Sequence, residues 1–338
     1  MTTIFVSHPI DQLAMYFGDR ATAALRATAD IRFNPQAREL STGELIEAAQ
    51  DCEALIAYRQ TPGPEALFQG LPQLAVFLRC AMDIRNVDVA AASAHGVLVT
   101  RASPGFNAAV AELIIGMMID LGRGTTRHAL AWQRGGPLTP FMGRELRGAT
   151  LGIVGFGGIG RYLCDLALAF GMKVLVTTPQ LIEQCDAVQQ VAMPALLAGA
   201  DFVTCLAPAN AETVDLFGAA AFAAMKPGAF FINASRGELV NEASLLAALD
   251  SGKLAGCALD VGLAPDQMPT PQLARHPSVI ATPHIGGLTL PAIEHQAMET
   301  VTQLRMLLQG QLPAGAVNPE HALRLKCWSH ALAAPKPV

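Results

Sequence analysis

Charged and aromatic residues are scarce in this sequence. Only 15% of its 338 residues are Asp, Glu, Lys or Arg, aromatic residues supply 6%, and the formal net charge is −5. No block of basic residues occurs anywhere in the chain, so we do not expect nucleic acid as a partner. With so few aromatic rings, Ala, Val, Leu and Ile must do most of the core packing.

A segment that could cross a bilayer is also lacking, so we expect no membrane partner. The longest apolar run, from Ala108 to Leu121, is interrupted by Glu112 and Asp120 and is too short to span. No basic start precedes an apolar stretch at the N-terminus, so we expect no secretory signal. The seven Cys are scattered and include no Cys-x-x-Cys pair, which favours reduced thiols in a cytoplasmic protein. We expect no metal ion.

What the sequence does contain is apolar residues, at 51% of the chain. This is enough to offset ordering entropy, and the length suggests two domains with sizeable cores. Strand-like runs alternate with helical patterns, which predicts parallel βαβ units. The first predicted series is Ile4–Ser7, Ala29–Phe33, Ala54–Tyr58, Leu74–Arg79 and Val97–Arg101; the second is Thr150–Val154, Lys173–Thr177, Phe202–Cys205, Ala229–Asn233, Gly256–Asp260 and Val279–Ala281.

Two segments between these series stand apart. A helix predicted from Asn107 to about Leu121 is too apolar to face water, so we expect it to pack between domains or subunits. The segment Trp132–Arg147 is rich in Gly and Pro and is expected to be a connecting loop. The tail from Pro319 onward shows no clear period and is expected to be poorly ordered.

A glycine-rich turn joins the predicted strand Thr150–Val154 to a predicted helix that starts near Arg161. Its Gly-x-Gly-x-x-Gly pattern, placed between a strand and a helix, is typical of a turn that cradles a dinucleotide pyrophosphate. The helix N-terminus then supplies N–H groups to the anion. The predicted cofactor-binding residues of this turn are Gly155, Gly157, Gly158, Ile159 and Gly160.

The second strand of this series predicts the choice of cofactor. A dinucleotide site usually has an acidic residue about twenty positions after the turn, which binds the ribose hydroxyls of NAD. Thr178 stands there, and no Arg or Lys lies beside it to bind the 2′-phosphate of NADP. We therefore predict a relaxed choice between NAD and NADP.

Two later strands end in residues that can carry chemistry. Arg236 follows the strand Ala229–Asn233, and His284 follows Val279–Ala281. Open α/β sheets bind their ligands at the carboxyl ends of strands. An Arg there can bind a carboxylate and polarise a carbonyl, whereas a His can exchange a proton.

Together these motifs resemble the D-2-hydroxyacid dehydrogenase family, which includes phosphoglycerate dehydrogenases and glyoxylate/hydroxypyruvate reductases. The resemblance runs from about Ile4 to Pro319. The segments that carry it are Pro104–Glu112, Gly143–Gly160, Met225–Gly228, Asn233–Val240, Leu259–Val261 and Thr282–Gly287.

The resemblance implies an α/β fold of two doubly wound parallel-sheet domains. A Rossmann NAD(P)-binding domain, residues 102–284, would be inserted into a flavodoxin-like substrate domain, residues 1–101 plus 285–338. A homodimer built largely through the nucleotide domains is also implied.

The resemblance further implies roles for individual residues. Arg236 would bind the substrate carboxylate and keto oxygen, and His284 would be the acid/base. Further cofactor contacts would come from Asp260, which would hold the nicotinamide carboxamide, and from Ala207, Pro208 and Ser235. Further substrate contacts would come from Arg59 at a charged distal group and from the turn at Met82 and Asp83.

Besides Thr178, three positions depart from the family pattern. Pro265 replaces a Glu that hydrogen-bonds the catalytic His, so we predict that Asp266 takes over this role, with Gln267 as the alternative. Asp83 replaces a usual Gly, and an acid there opposes an anionic substrate unless its side chain points to solvent or bonds an uncharged hydroxyl. Gly158 replaces a frequent Arg, for which Arg161 would compensate.

The predicted function is hydride transfer between NAD(P) and C2 of a small 2-keto or D-2-hydroxy acid. Two alternatives stay open. One is a dinucleotide-binding regulatory protein with little turnover, and the other is a dehydrogenase of formate or phosphite.

Overall fold

The computed structural model describes residues 3–137, 139–325 and 328. The chain divides into two compact units. The first unit comprises Met1–Gly105 with Thr289–Val338, and the second comprises Phe106–Leu288. The second unit is thus inserted into the first, with the crossings after residues 105 and 288 rather than 101 and 284.

Each unit contains one sheet in which all strands are parallel. The first unit has β1 (Thr3–Val6), β2 (Asp30–Phe33), β3 (Ala54–Ala57), β4 (Val76–Arg79) and β5 (Leu98–Arg101). The second has β6 (Thr150–Val154), β7 (Lys173–Thr177), β8 (Val188–Gln190), β9 (Phe202–Cys205), β10 (Ala229–Asn233), β11 (Leu254–Leu259) and β12 (Val279–Ala281).

Helices occupy the connections between strands. The first unit has α1 (Leu13–Tyr16), α2 (Asp19–Arg26), α3 (Thr42–Ala49), α4 (Glu65–Gly70), α5 (Val89–Ala94) and α13 (Leu290–Leu308). The second has α6 (Asn107–Arg123), α7 (Thr125–Gln133), α8 (Gly158–Ala169), α9 (Met193–Gly199), α10 (Ala219–Ala224), α11 (Glu242–Asp250) and α12 (Pro271–Ala274). Short 3₁₀ turns lie at Gly237–Leu239, Pro265–Gln267 and Pro319–His321.

The sheet of the first unit has the strand order β2-β1-β3-β4-β5. This is the flavodoxin-like order, in which helices cover both faces of the sheet. Alternate residues of β1 enter opposite cores: Ile4 and Val6 pack on one face, and Phe5 packs on the other. The buried run of β1 therefore reflects a strand covered on both sides.

The sheet of the second unit has the order β12-β11-β10-β9-β6-β7-β8. Counted from β6, this is the 3-2-1-4-5-6 arrangement of a Rossmann fold with one more strand at its edge. The chain order reverses between β6 and β9, where a ligand crevice is expected. The predicted α/β class with two doubly wound sheets is confirmed.

The apolar helix α6 is used inside the second unit. Val110, Ala111, Ile114 and Met118 are buried in a core that also contains Leu163 of α8. Burial against this core therefore accounts for part of the apolar composition of the helix. The expected packing between domains or subunits stays a prediction. Helix α7 was not predicted, and it extends into the expected loop as far as Gln133.

The remaining findings concern strand β8, helices that could cross a membrane, the thiols and the tail. Strand β8 was missed because it is only three residues long and polar at two of them. Among the residues that the structure describes, no helix is both long and apolar enough to cross a membrane. The described thiols are all free. In the tail, Pro319–His321 is ordered as a turn and Trp328 is buried, whereas residues 326, 327 and 329–338 lie outside the described residues.

A buried histidine lies two residues after the end of β1. His8 is 1% exposed, and its ring packs against Phe17 and Tyr58 with centroid separations of 5.3 and 5.1 Å. Its Nδ1 has no hydrogen-bond partner among the described residues. Burial, and secondarily the charge of Arg79, lowers the pKa of His8 to about 3, so this imidazole is neutral in the folded protein.

This lowered pKa predicts a loss of stability in acid. The unfolded chain takes up a proton at His8 below about pH 6.5, whereas the folded chain takes it up only near its lowered pKa, so stability is lost as pH falls through this window. Between pH 7 and pH 5 we expect the free energy of unfolding to fall by about 2 kcal/mol because of His8 alone.

Denaturant unfolding at both pH values checks this expectation. His8→Phe should remove that part of the pH dependence, whereas His321→Gln, a control at an exposed histidine, should retain it. An identical pH dependence in wild type and His8→Phe would contradict the prediction.

Candidate active site

The glycine turn lies where the ends of three strands meet. Gly155 follows β6 with φ of +98°, and a Cβ placed there would lie 2.5 Å from the main chain of Leu206 and Ala207, which follow β9. The N–H of Gly155 donates to the carbonyl of Thr177 at the end of β7, at 2.9 Å. Both the backbone conformation and the close approach therefore require glycine at position 155.

The N-terminus of α8 is open toward this turn. Gly157 is the N-cap and provides no side-chain cap, and a Cβ at Gly157 would meet no atom within 4 Å. The first-turn N–H groups are therefore not used by a capping side chain, and the space in front of them suits a phosphate. This cradle fits the pyrophosphate of a dinucleotide.

The neighbours of the turn explain two further predicted residues. Gly158 lies against the Asn107 side chain, whose amide would be 2.5 Å from a Cβ. Ile159 is half-buried against the core of the second unit. Arg161 places its guanidinium 5.1 Å from the ring centroid of Phe156, inside the turn. A cation therefore lies beside the turn, and the expected compensation by Arg161 for Gly158 stays a prediction.

The loop after β7 is organised by uncharged side chains. The hydroxyl of Thr178 donates to Oε1 of Gln180 at 2.9 Å. Gln190 of β8 donates from Nε2 to the carbonyls of Thr178 and Gln180, at 2.9 Å each, and its Oε1 accepts from the N–H of Ile182 at 3.2 Å. Strand β8, which was not predicted from the sequence, thus supplies the side chain that fixes the main chain at Thr178.

The turn after β10 is fixed by its own side chains. Asn233 Oδ1 accepts from the N–H of Ser235 at 3.0 Å, and its Nδ2 donates to the carbonyl of Arg236 at 2.9 Å. Ser235 Oγ donates to the carbonyl of Ala207 at 2.5 Å, which joins this turn to the loop after β9. In that loop the carbonyl of Pro208 accepts from Thr213 Oγ1 at 2.7 Å.

Arg236 is oriented by this turn. Its Nη1 donates to the carbonyl of Ser235 at 2.8 Å. The next residue, Gly237, lies so close to Gly262 that a Cβ would be 2.3 Å from the Gly262 main chain. The main chain that follows Arg236 thus lies against the loop after β11.

Asp260 holds the loop that carries His284. It is 2% exposed and lies directly after β11. Its Oδ1 accepts from Thr282 Oγ1 at 2.7 Å and from the N–H of Ile285 at 2.8 Å, and its Oδ2 accepts from the N–H of Gly286 at 2.8 Å. Hydrogen bonds to a charged group contribute about 1.5–3 kcal/mol each, so this carboxylate determines the conformation of the loop.

His284 is bound at one ring nitrogen by a main-chain carbonyl. Its Nδ1 lies 2.8 Å from the carbonyl oxygen of Asp266. We expected a side chain, from Asp266 or Gln267, at this nitrogen; the structure places the carbonyl of Asp266 there. Gln267 Oε1 is buried and has no hydrogen-bond partner among the described residues.

Backbone strain is concentrated around this contact. Among the described non-glycine residues, four have a positive φ, and three of these are Asp266 at 56°, Gln267 at 57° and His284 at 55°. Each left-handed residue costs about 1–2 kcal/mol relative to the ordinary helical conformation. Strain of this kind persists where surrounding contacts hold it, and it is common at functional sites.

The predicted substrate residues of the first unit share a buried anchor that sequence reasoning missed. Arg79, 2% exposed at the end of β4, donates to the carbonyls of Tyr58, Thr61, Arg59 and Asp83. Burial lowers the pKa of Arg79 to about 10. A cation that ends an otherwise apolar strand was the available sequence signal.

Arg59 and Asp83 have partners of their own. The Arg59 guanidinium lies 5.0 Å from the ring centroid of Tyr16. The carboxylate of Asp83 accepts from Arg85, with Oδ2 at 3.0 Å from Nη2, so a neighbouring cation offsets its charge. We expected this side chain to point to solvent or to bond an uncharged hydroxyl. Met82, beside Asp83, is half-buried.

Within the second unit, the structure therefore brings together the glycine turn with Thr178, Ala207 with Ser235, and Asp260 with His284. Arg236 and His284 follow β10 and β12, with β11 between them, so the two strand ends are about 10 Å apart. In the part of the chain that is described, no group of three or more His, Cys, Asp or Glu could hold a metal ion.

Comparison with known sequences gives a family and several relatives. The family described as D-isomer specific 2-hydroxyacid dehydrogenase, NAD binding domain, matches residues 115–286. D-3-phosphoglycerate dehydrogenase of Synechocystis sp. is 32% identical over 326 residues, which cover 94% of this chain and 56% of that protein. The enzyme of the same description from Rattus norvegicus is 35% identical over 292 residues, covering 84% and 54%. The chain thus spans about half the length of these relatives.

Solved structures give a similar result. A glyoxylate reductase from Paecilomyes thermophila superposes with a TM-score of 0.79 at 26% identity, covering 94% of this chain and 98% of that one. A D-lactate dehydrogenase from Aquifex aeolicus, complexed with NAD and lactic acid, has a TM-score of 0.75 at 24% identity, covering 91% and 96%. The second likeness concerns the fold alone.

Proposed function

Because the chain belongs to the D-isomer specific 2-hydroxyacid dehydrogenase family, we propose that it transfers a hydride between NAD(P) and C2 of a 2-keto or D-2-hydroxy acid. The observation that carries this proposal is the placement of Arg236 and His284 on either side of Asp260. All three follow strands at the carboxyl edge of the sheet, where the glycine turn also lies.

Arg236 is proposed to bind the substrate. A guanidinium presents a planar set of N–H donors that matches a carboxylate and can also reach the adjacent carbonyl oxygen. One of its nitrogens is anchored on the carbonyl of Ser235, which restricts the side chain before substrate arrives. Positive charge beside the carbonyl oxygen then stabilises the negative charge that develops there during reduction.

His284 is proposed to move the proton. With Nδ1 on the carbonyl of Asp266, Nε2 is the nitrogen that exchanges a proton with the substrate oxygen. It gives the proton to the carbonyl oxygen in reduction and takes it from the hydroxyl in oxidation. The bound nicotinamide supplies or accepts the hydride at C2.

In the first unit, we propose that Arg59 and the turn at Met82 and Asp83 contact the substrate. Arg79 fixes this turn, since it donates to the carbonyls of Arg59 and Asp83. The pairing of Asp83 with Arg85 supports the proposal, because it offsets the negative charge that would oppose an anionic substrate.

Activity on a panel of keto acids tests the proposal. Purified protein should oxidise NADH or NADPH with glyoxylate, hydroxypyruvate or phenylpyruvate.

His284→Asn should lower kcat by about 10²–10⁴-fold because general acid–base catalysis is lost. Arg236→Gln should lower kcat/KM by about 10–150-fold because a charge-assisted contact is lost. Arg275→Gln, at an exposed arginine of the same unit, is the matched control.

Two outcomes would contradict the proposal. Binding of NADH without turnover of any keto acid would favour a regulatory protein. Reduction of NAD on addition of formate or phosphite would instead favour a formate or phosphite dehydrogenase.

Cofactor choice depends on the loop that Gln190 holds. Thr178 carries no charge, and no Lys or Arg occurs from residue 178 to residue 190, so we propose that both NADH and NADPH are used, with KM values within about a hundredfold. Thr178→Asp should raise KM for NADPH by about tenfold or more, because a carboxylate repels the 2′-phosphate. KM for NADH should stay the same or fall.

Steady-state kinetics with both cofactors measures this effect. Leu181→Asp places the same charge at an exposed position of the same loop. This control separates direct contact of residue 178 with the 2′-phosphate from general repulsion by a negative charge in the loop. Equal changes in KM for NADPH in the two variants would refute the assignment to Thr178.

A homodimer is proposed through the surface around α7. Trp132 and Met142 are 72% and 97% exposed, and together with Phe141 they line a cleft of about 610 Å³. Large exposed apolar side chains that lie together are one mark of an interaction surface. The double variant Trp132→Asp, Met142→Asp should sediment as one chain where wild type sediments as two, and Leu181→Asp should sediment like wild type. A monomeric wild type would contradict this proposal.

A further inference from the structure

We infer that the main chain of Asp266, rather than its side chain, sets the tautomer of His284. A carbonyl oxygen can only accept a hydrogen bond. At 2.8 Å from the carbonyl of Asp266, Nδ1 must therefore carry a hydrogen, and the lone pair of the neutral ring lies on Nε2. This inference rests on the proposed function for its catalytic meaning, but the contact itself does not depend on substrate.

The main-chain conformation of residues 262–268 directs the Asp266 carbonyl toward His284. Asp266 has φ of 56° and ψ of 24°, and Gln267 is left-handed as well. Hydrogen bonds close the loop around them, from the N–H of Gly262 to the carbonyl of Gln267 at 2.7 Å and from the N–H of Ala264 to the carbonyl of Met268 at 3.0 Å. The direction of the Asp266 carbonyl thus follows from main-chain conformation.

This arrangement differs from a carboxylate–imidazole pair in one physical respect. A carboxylate orients the ring and also adds a negative charge that favours the protonated ring. A carbonyl orients the ring through its dipole without a formal charge. Asp266 is therefore a positioning residue, and the property that matters at this position is tolerance of the left-handed conformation. Asp, Asn and Gly share this tolerance, whereas β-branched residues do not.

Two variants that both lack the carboxylate isolate the main chain. In Asp266→Asn the left-handed conformation is retained, and in Asp266→Val it is disfavoured. We expect the imidazole nitrogen spectrum of His-labelled protein to show the Nδ1–H tautomer in wild type, Asp266→Asn and Asp266→Gly. In Asp266→Val a second tautomer should appear, and kcat should be about tenfold or more below that of Asp266→Asn, with KM changed less. Ala264→Val, at an extended residue of the same loop, is the control for a valine side chain.

The spectrum separates this inference from the proposed function. Absence of turnover in wild type would refute the function and leave the tautomer result standing. Loss of the Nδ1–H tautomer in Asp266→Asn would overturn the inference, because the side chain would then be the partner. If Asp266→Val does not fold, the spectra of the Asn and Gly variants still decide the question.

Discussion

The carboxylate of Asp260 is the group on which the rest of the second unit's site depends. It is buried at the end of β11, and its two oxygens accept three hydrogen bonds from the loop after β12. An ionised group is stable in such a place only when its oxygens are satisfied. Residues 282–286 can therefore adopt few other conformations while Asp260 stays buried, and the position of His284 follows from this.

The first unit uses a charge of opposite sign in a similar way. Arg79 is buried at the end of β4, and its donors are taken by main-chain carbonyls of the loops after β3 and β4. In both units a buried charged side chain, at the carboxyl end of the strand next to the sheet edge, binds groups of the neighbouring loops. Main-chain groups of loops at the carboxyl edge of a parallel sheet have left the strand hydrogen-bond ladder, so those that are buried need other partners of this kind.

The features that the sequence predicted are those with local physical causes. Continuous apolar runs such as Leu151–Val154 become strands that are buried on both faces. Gly155 was predicted because no other residue fits a tight turn against a neighbouring loop. Strand β8 and the role of Gln190 could not be predicted, since they depend on hydrogen bonds to main-chain groups ten and twelve residues away. The carbonyl contact to His284 could not be predicted either, because it depends on the φ angles of Asp266 and Gln267, which sequence patterns do not specify.

Charged residues are scarce in the sequence as a whole, and two positions of the candidate site also lack an expected charge. At Thr178 and Pro265, where related sites are expected to hold a carboxylate, the structure supplies neutral groups: the amide of Gln190 beside Thr178, and the carbonyl of Asp266 beside His284. A carboxylate acts through its charge over several ångströms, whereas a neutral dipole acts only at short range and in a fixed direction. The neutral groups at these two positions therefore act through the direction in which their loops hold them. That direction is set by the conformation of two short loops, which Gln190 fixes beside Thr178 and the left-handed residues Asp266 and Gln267 fix beside His284.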